Sequence, residues 1–382
     1  MNDITSRILH IITGLATGGA EQVLYNLFNG GLTKYFSNHV ISLSDEGTIG
    51  PRIRELGVPI TTLDIRRGFP SFSALSKLRR VTNEVKPDII QGWMYHGNLA
   101  ATLARSLAVG RPMLAWSIHH SLNELRHEKP MTRQVIRANR YVSSFPESIH
   151  YCSQLSQKLH EKFGFVAKNG LFIPNGINTQ RFLFSSAARQ RIRTELDIAP
   201  NAQVIGHVAR FHPMKNHQIF IQAATDLAIR YPDVHFLLVG RDIIPDNAII
   251  TPMIPMKVSN RFHLLGERSD VPNLMSAMDI FCLSSSWGEA FPLVLGEAMV
   301  TGIPCVATDI GDSAIIIGDT GVIVPPGNKH ALTTGLESIL TMSPKERSAL
   351  GTKAQARIEA NYTLEVIVDQ YIMMYEQLVA AK

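Results

Sequence analysis

Two carboxylates eight residues apart, Glu289 and Glu297, bracket the stretch of this 382-residue chain best suited to chemistry. The apolar run Ile280 to Leu283 ahead of them predicts a buried strand. Trp287-Gly288 breaks that strand, and Pro292 suits the first turn of a following helix, where its missing N–H costs nothing. This places Glu289 in a loop before the helix and Glu297 inside it. The N–H groups of Phe291, Leu293 and Val294 would be free, as in any first helical turn. Free N–H groups at the positive end of a helix make an anion site. A ligand with a phosphate centre and hydroxyl groups on both sides would fit between the two carboxylates, as a nucleotide sugar does. Two exposed helix glutamates are the plain alternative.

The elements that must position these groups alternate strand and helix along the whole chain. Arg7 to Thr13 reads as a strand, then Gly14 to Glu21 as a glycine loop, then Gln22 to Phe28 as a helix. That order opens a Rossmann-like unit, but the pattern is not G-x-G-x-x-G, which disfavours a dinucleotide-dependent dehydrogenase. Gly18 and Gly19 allow close backbone approach to something held opposite, or simply a tight turn. Ligands in open α/β sheets bind beyond the carboxyl ends of the strands. His96 and Asn98 follow the strand Pro87–Gln91, and His119 and His120 follow the strand Met113–Ile118. Four polar groups at two strand ends predict a pocket, although a lone loop histidine is usually just solvated. Pro174-Asn-Gly-Ile-Asn178 is a turn cluster and marks a domain joint near residue 178. Beyond it the alternation resumes, with a strand over Gln203–Ala209 followed by Arg210 and Lys215 in its terminal loop.

Composition bounds the rest. The chain is 45% hydrophobic and 18% charged, which is globular. Its three cysteines show no metal spacing. The start has no basic and apolar leader pattern, and no apolar run reaches the ~18 residues of a membrane helix. A cytoplasmic setting is expected. Residues 1–185 hold 21 Lys and Arg against 12 Asp and Glu, while the remainder holds 16 against 20. A basic first half suggests an anionic partner or surface; nucleic acid is weakly supported, because no recognisable binding module is present.

The run Glu289-Ala-Phe-Pro-Leu-Val-Leu-Gly-Glu297 resembles the E-x7-E signature of retaining glycosyltransferases of the GT-B fold, family 4. Several further segments are similar to that family: the Gly18-Gly-Ala-Glu21 loop, Pro174-Asn-Gly-Ile-Asn178, Arg210 to Lys215, Arg261 to Asp270, the Ser-Ser-x-x-Glu-x-Phe-Pro run from Ser285, Gly302-Ile-Pro-Cys-Val-Ala-Thr-Asp309 and Ile310 to Gly327. Asn178 and Ile315 depart from it, each standing where the family usually carries an acidic residue. The resemblance spans nearly the whole chain. It implies an α/β architecture of two Rossmann-like domains facing each other across a cleft: residues 1–178 bind the acceptor, residues 179–362 bind the donor, and a C-terminal helix over 363–382 crosses back to the first domain.

The resemblance also implies roles. Gly18 and Gly19 would face the donor phosphates. Arg210 and Lys215 would hold the diphosphate, Gly266 and Arg268 would lie in the loop that holds the base, and Glu297 would take the ribose hydroxyls. Glu289 would bind and orient the sugar, with His119 lining the sugar side and His96, Asn98 and His120 on the acceptor side. No D-x-D occurs, so no metal and no cofactor are expected beyond a UDP- or GDP-sugar donor. The implied reaction is glycosyl transfer with retention, to a glycan or lipid-linked acceptor in bacterial envelope polysaccharide synthesis. A sugar phosphorylase or nucleotide-sugar epimerase of the same fold, or a non-catalytic sugar-nucleotide-binding module, are the alternatives. Arg133, Arg137 and Arg140 fall on one face of a predicted helix over Met131–Tyr141. They would dock on an anionic inner leaflet; a merely solvated helix face is the simpler reading of such a run.

Overall fold

The computed structural model describes residues 6–16, 18–65, 71–122 and 124–382. The first five residues, which bear on the leader expectation, lie outside them. The chain divides into two compact units, residues 1–176 with 364–382, and residues 177–363.

In the first unit the chain runs β1 (Arg7–Ile12), α1 (Gly19–Asn29), β2 (Ser37–Ser42), α2 (Gly50–Glu55), β3 (Ile60–Thr62), α3 (Phe72–Val85), β4 (Ile89–Trp93), α4 (Met94–Leu107), β5 (Met113–Ile118), α5 (Pro130–Val142), β6 (Ser148–Tyr151), α6 (Gln154–Phe163) and β7 (Gly170–Phe172). All seven strands are parallel, in the order β3-β2-β1-β4-β5-β6-β7. Parallel strands covered by helices on both faces have no solvent side, and β4, β5 and β6 are buried at every position, the polar Gln91, Ser117 and His150 included. Helix α6 begins and ends where local chemistry requires. Ser153 accepts from the Ser156 N–H at 3.0 Å, and Gly164 stops the helix at φ +106°.

The second unit continues with α7 (Ser186–Glu195), β8 (Gln203–Val208), α8 (His217–Arg230), β9 (Val234–Val239), β10 (Phe262–Leu264), α9 (Val271–Ala277), β11 (Ile280–Leu283), α10 (Leu293–Val300), β12 (Cys305–Thr308), α11 (Ser313–Ile317), β13 (Gly321–Val324), α12 (Lys329–Leu340) and α13 (Pro344–Asn361). Its six strands are also parallel, ordered β10-β9-β8-β11-β12-β13. The irregular stretch expected over 243–259 carries only short 3-10 turns, at Thr251–Met253 and from Met256. The last helix, α14 (Leu364–Ala380), belongs to the first unit. Tyr371 and Tyr375 bury there, and the Lys382 ammonium pairs with Asp88 at 2.9 Å.

In each sheet the strand order reverses once, between β1 and β4 and between β8 and β11. At such a point adjacent strands send their connections to opposite faces, leaving a crevice at their carboxyl ends. The opposite ends of β8 and β11 are tied by one carboxylate. Asp279 accepts from Val204 N at 2.8 Å, Arg189 Nη2 at 2.6 Å and Arg193 Nη2 at 2.7 Å. Arg193 is buried and also donates to the carbonyls of Ala202 and Ala277. Removing one partner of a buried ion pair leaves the other charge uncompensated. Asp279→Ala is therefore expected to lower the stability of the second unit by about 3–5 kcal/mol in urea unfolding. A loss under about 1 kcal/mol would show that the carbonyls alone satisfy Arg193.

Candidate active site

The crevice between β8 and β11 is built from two loops bonded to each other. After β8 the chain passes Arg210 and a 3-10 turn over Pro213–Lys215. Asn216 then turns left-handed at φ 48° and caps α8 by accepting from Ile219 N at 3.3 Å. Two serines after β11, Ser284 and Ser286, grip this loop, and a third, Ser285, holds Glu289. Ser284 donates to the Lys215 carbonyl at 2.9 Å and accepts from His207 Nε2 at 2.9 Å. Ser286 N donates to the Met214 carbonyl at 2.8 Å, and Asn216 Nδ2 donates to Ser286 Oγ at 2.7 Å. Ser285 Oγ donates to Glu289 Oε1 at 2.7 Å, and the Lys215 ammonium binds the same oxygen. The Ser-Ser-x-x-Glu run ahead of the helix belongs to the family resemblance; that its serines align Lys215 and Glu289 shows only in the structure.

Two glycines make the loops fit. Gly288 has φ 78°, and a Cβ there would lie 2.4 Å from Met214 Sδ. Gly311 has φ 61°, and its Cβ would lie 2.5 Å from the Ala290 carbonyl oxygen and 2.6 Å from that of Glu289. The loop after β12 thus supports the backbone of Glu289, and Asp312 N donates to the Ala290 carbonyl at 2.8 Å.

Helix α10 starts one residue later than expected. Pro292 precedes it, with its carbonyl accepting from Leu295 N at 3.0 Å, so the first turn holds Leu293 and Val294 and excludes Phe291. Phe291 packs its ring edge-to-face on Tyr362, 5.4 Å between centroids. No carbonyl of α10 can reach the N–H groups of Leu293 and Val294. Burial pushes the Glu297 carboxyl up to about 7, against a smaller opposing effect of Arg181. Arg210 is exposed, and both it and Lys215 act on His212, which burial first and then these two cations hold below the ordinary histidine value. Arg210 and Lys215 thus lie near one another, and Glu289, which pairs with Lys215, sits in the loop that leads into the first turn of α10.

Other expected donor residues sit differently. Arg268 makes a bidentate pair with Asp270 at 2.8 and 2.9 Å and binds Glu195 at 2.7 Å, so its guanidinium is taken up by carboxylates. Gly266 turns at φ 66°, and its carbonyl accepts from Gly240 N at 2.8 Å, joining the ends of β9 and β10.

In the first unit Gly18 precedes α1 in extended conformation and Gly19 opens the helix. A Cβ on Gly19 would meet nothing within 4 Å, so the space above it is open. The strand-end loop expected at 93–98 is instead the start of α4, which follows β4 without a break. This corrects Asn98. It is fully buried, and its amide, turned to donate to the Gly92 and Met94 carbonyls at 3.0 and 3.2 Å, braces the strand–helix junction rather than facing a ligand. His96 is half-buried in the first turn of α4, held below the ordinary histidine value by burial. His120 bonds Glu128 Oε1 at 2.8 Å.

His119 stacks on Trp93, 5.3 Å between centroids, and both its ring nitrogens are engaged. Nδ1 donates to Asn175 Oδ1 at 3.1 Å, and Nε2 meets the Ser117 hydroxyl at 2.7 Å. Burial, with His150 nearby, pushes it well below the ordinary value, so the ring is neutral. It can line a site but can bond a ligand through a ring nitrogen only by giving up one of these partners.

Among the described residues no group of His, Cys, Asp and Glu side chains could hold a metal ion, and no helix is long and apolar enough to cross a membrane. The expected basic face of α5 is thinner than its spacing implied. Arg133 donates to the carbonyls of Arg126 and Glu128, each at 2.7 Å, leaving Arg137 and Arg140 exposed.

The sequence profile of glycosyl transferases group 1 matches residues 188–357, and that of glycosyltransferase family 4 matches residues 17–181. EpsF of Bacillus subtilis (strain 168), whose name describes it as a glycosyltransferase, is 23% identical over 99% of both chains. The UDP-Gal:alpha-D-GlcNAc-diphosphoundecaprenol alpha-1,3-galactosyltransferase of Escherichia coli is 31% identical over 38% of each chain. Among solved structures, Anabaena HepE in complex with UDP superposes with a TM-score of 0.84 at 22% identity, covering 97% of this chain and 100% of HepE. The fold of each unit, the order of its strands and the two matching profiles agree, and the chain belongs to the family 4, group 1 glycosyltransferases of the GT-B fold.

Proposed function

We propose that this glycosyltransferase moves a sugar, with retention of anomeric configuration and without a metal ion, from a nucleotide diphosphate sugar to a glycan or lipid-linked acceptor in envelope polysaccharide synthesis. The observation that carries the reading is the Lys215–Glu289 pair held by Ser285 at the strand-order reversal of the second sheet. The chemical problem is negative charge growing on the diphosphate as its bond to the anomeric carbon breaks. Arg210, Lys215 and the N–H groups of Leu293 and Val294 would stabilise that charge. Lys215 would exchange Glu289 for a phosphate oxygen, freeing the carboxylate for the sugar hydroxyls. The acceptor oxygen would bond the anomeric carbon on the face the phosphate leaves, its proton passing to a donor phosphate oxygen. The named acceptor of the Escherichia coli relative, a diphosphoundecaprenol-linked sugar, supports a lipid-linked acceptor, and the UDP held by HepE makes UDP-sugars the first donors to test.

Assayed in EDTA, wild-type transfer is expected to persist, and Arg210→Ala and Lys215→Ala each to lower turnover by about tenfold to a hundredfold. Glu289→Gln should reduce transfer more than nucleoside diphosphate affinity. Near-normal turnover in both cation variants, or complete loss in EDTA restored by manganese, would overturn the assignment; epimerised donor without transfer would make the protein an epimerase.

Glu297 adds a pH dependence. If its carboxylate accepts the ribose hydroxyls, the nucleotide binds the ionised form, and that form is the minor one below about 7. UDP affinity should therefore rise with pH through that value, by at most about tenfold per unit. In Glu297→Gln the slope should vanish; an unchanged slope would assign it elsewhere.

Arg137 and Arg140, with exposed Met131 and Tyr141 on the same helix, would give weak docking on an anionic leaflet. At about 1 kcal/mol per cation, the protein should co-sediment with anionic vesicles at low salt and be released as salt rises. Arg137→Ser with Arg140→Ser should abolish the sedimentation; a wild type that ignores such vesicles removes the membrane from this reading.

A further inference from the structure

The first unit holds a cavity of about 860 Å³ at the carboxyl ends of β1 to β4. Its size is that of a ligand pocket. Its walls are chemically divided. Thr13, Ser44 and Glu21 supply polar groups beside the glycine loop, while α3, α4 and α5 supply Leu78, Leu99, Ala100, Leu103 and Val135. The apolar walls are far too extensive for a sugar, whose hydroxyls would lose water there without finding partners. At the rim, directly before α5, stands Lys129, which is exposed and forms no ion pair among the described residues. An apolar cavity with polar groups on one wall and a cation at the rim matches an amphiphile.

We infer that this cavity takes the hydrocarbon chain of a phosphate-bearing lipid, the carrier of the acceptor sugar, with Lys129 meeting the phosphate. The inference rests on the lipid-linked acceptor of the proposed function and assigns its chain to α3, α4 and α5. Filling the cavity removes apolar wall and apolar ligand from water together, so affinity should grow with chain length.

The test is calorimetric titration of the full chain with butyl phosphate, dodecyl phosphate, dodecanol and farnesyl phosphate, alongside UDP. Dodecyl phosphate should bind at least about tenfold tighter than both butyl phosphate and dodecanol. Farnesyl against dodecyl phosphate distinguishes a branched prenyl chain from a straight acyl one. Ala100→Trp, which fills the cavity from α4, and Leu103→Glu, at a solvent-exposed wall position, should each weaken dodecyl phosphate at least about tenfold and leave UDP binding unchanged. Affinity independent of chain length, equal binding of the alcohol and the phosphate, or insensitivity to both variants would overturn the inference. Loss of UDP binding in the wild type would instead count against the donor reading, so the two failures are separable.

Discussion

A parallel sheet whose strand order reverses cannot close over its own carboxyl edge, and both units of this protein are built on that constraint. At the reversal in the second sheet, the two flanking loops would hold polar groups apart unless something joined them. Ser284 and Ser286 join them through side chain and backbone alike, and Ser285 fixes Glu289, so that Lys215 and Glu289 meet. Each group is thus held in place by the loops themselves, and under the proposed function only the partner of the Lys215 ammonium has to change when donor enters.

The first unit uses a different device at its own reversal. Trp93, His119, Ser117, His150 and Tyr371 form a buried chain of stacked rings and hydrogen bonds running from β4 through β5 and β6 to α14. Its histidines are neutral because burial disfavours their charged forms. A neutral, fully partnered network fixes geometry without presenting charge. His119 is thus anchored on two sides, by Ser117 from its own strand and by Asn175 from the segment that leaves the unit.

Most of the architecture was legible because buried parallel strands are mostly apolar and the intervening helices amphipathic; β5 and the bounds of α6 follow directly from those patterns. The junction at Trp93–Met94 was not. There a strand passes into a helix with no turn residues between them, and Met94 takes φ 61°, a conformation its side chain gives no reason to expect. With the helix start misplaced, Asn98 seemed free when it is consumed by backbone carbonyls. Arg268 and Arg133 failed in a related way. Residue type announces a charge, but only tertiary contacts decide whether that charge is spent on a neighbour. Periodicity places Glu289 and Lys215 beyond strand ends, and the structure brings the two side chains together there; the roles proposed for them come from the family resemblance.

The return of α14 to the first unit has a consequence for biosynthesis. Residues 177–363 form a continuous unit inserted into a discontinuous one, so the ribosome delivers every residue of the second unit before the last helix of the first. Until then the faces that receive Tyr371 and Tyr375, beside His150 and Phe36, stay uncovered. Domains commonly fold as units during synthesis. Here the amino-terminal half must wait, and its final closure is a long-range event whose entropy cost is met late. All seven strands of the first sheet are synthesised by Phe172, so that sheet stands with those faces bare while the whole second unit is made.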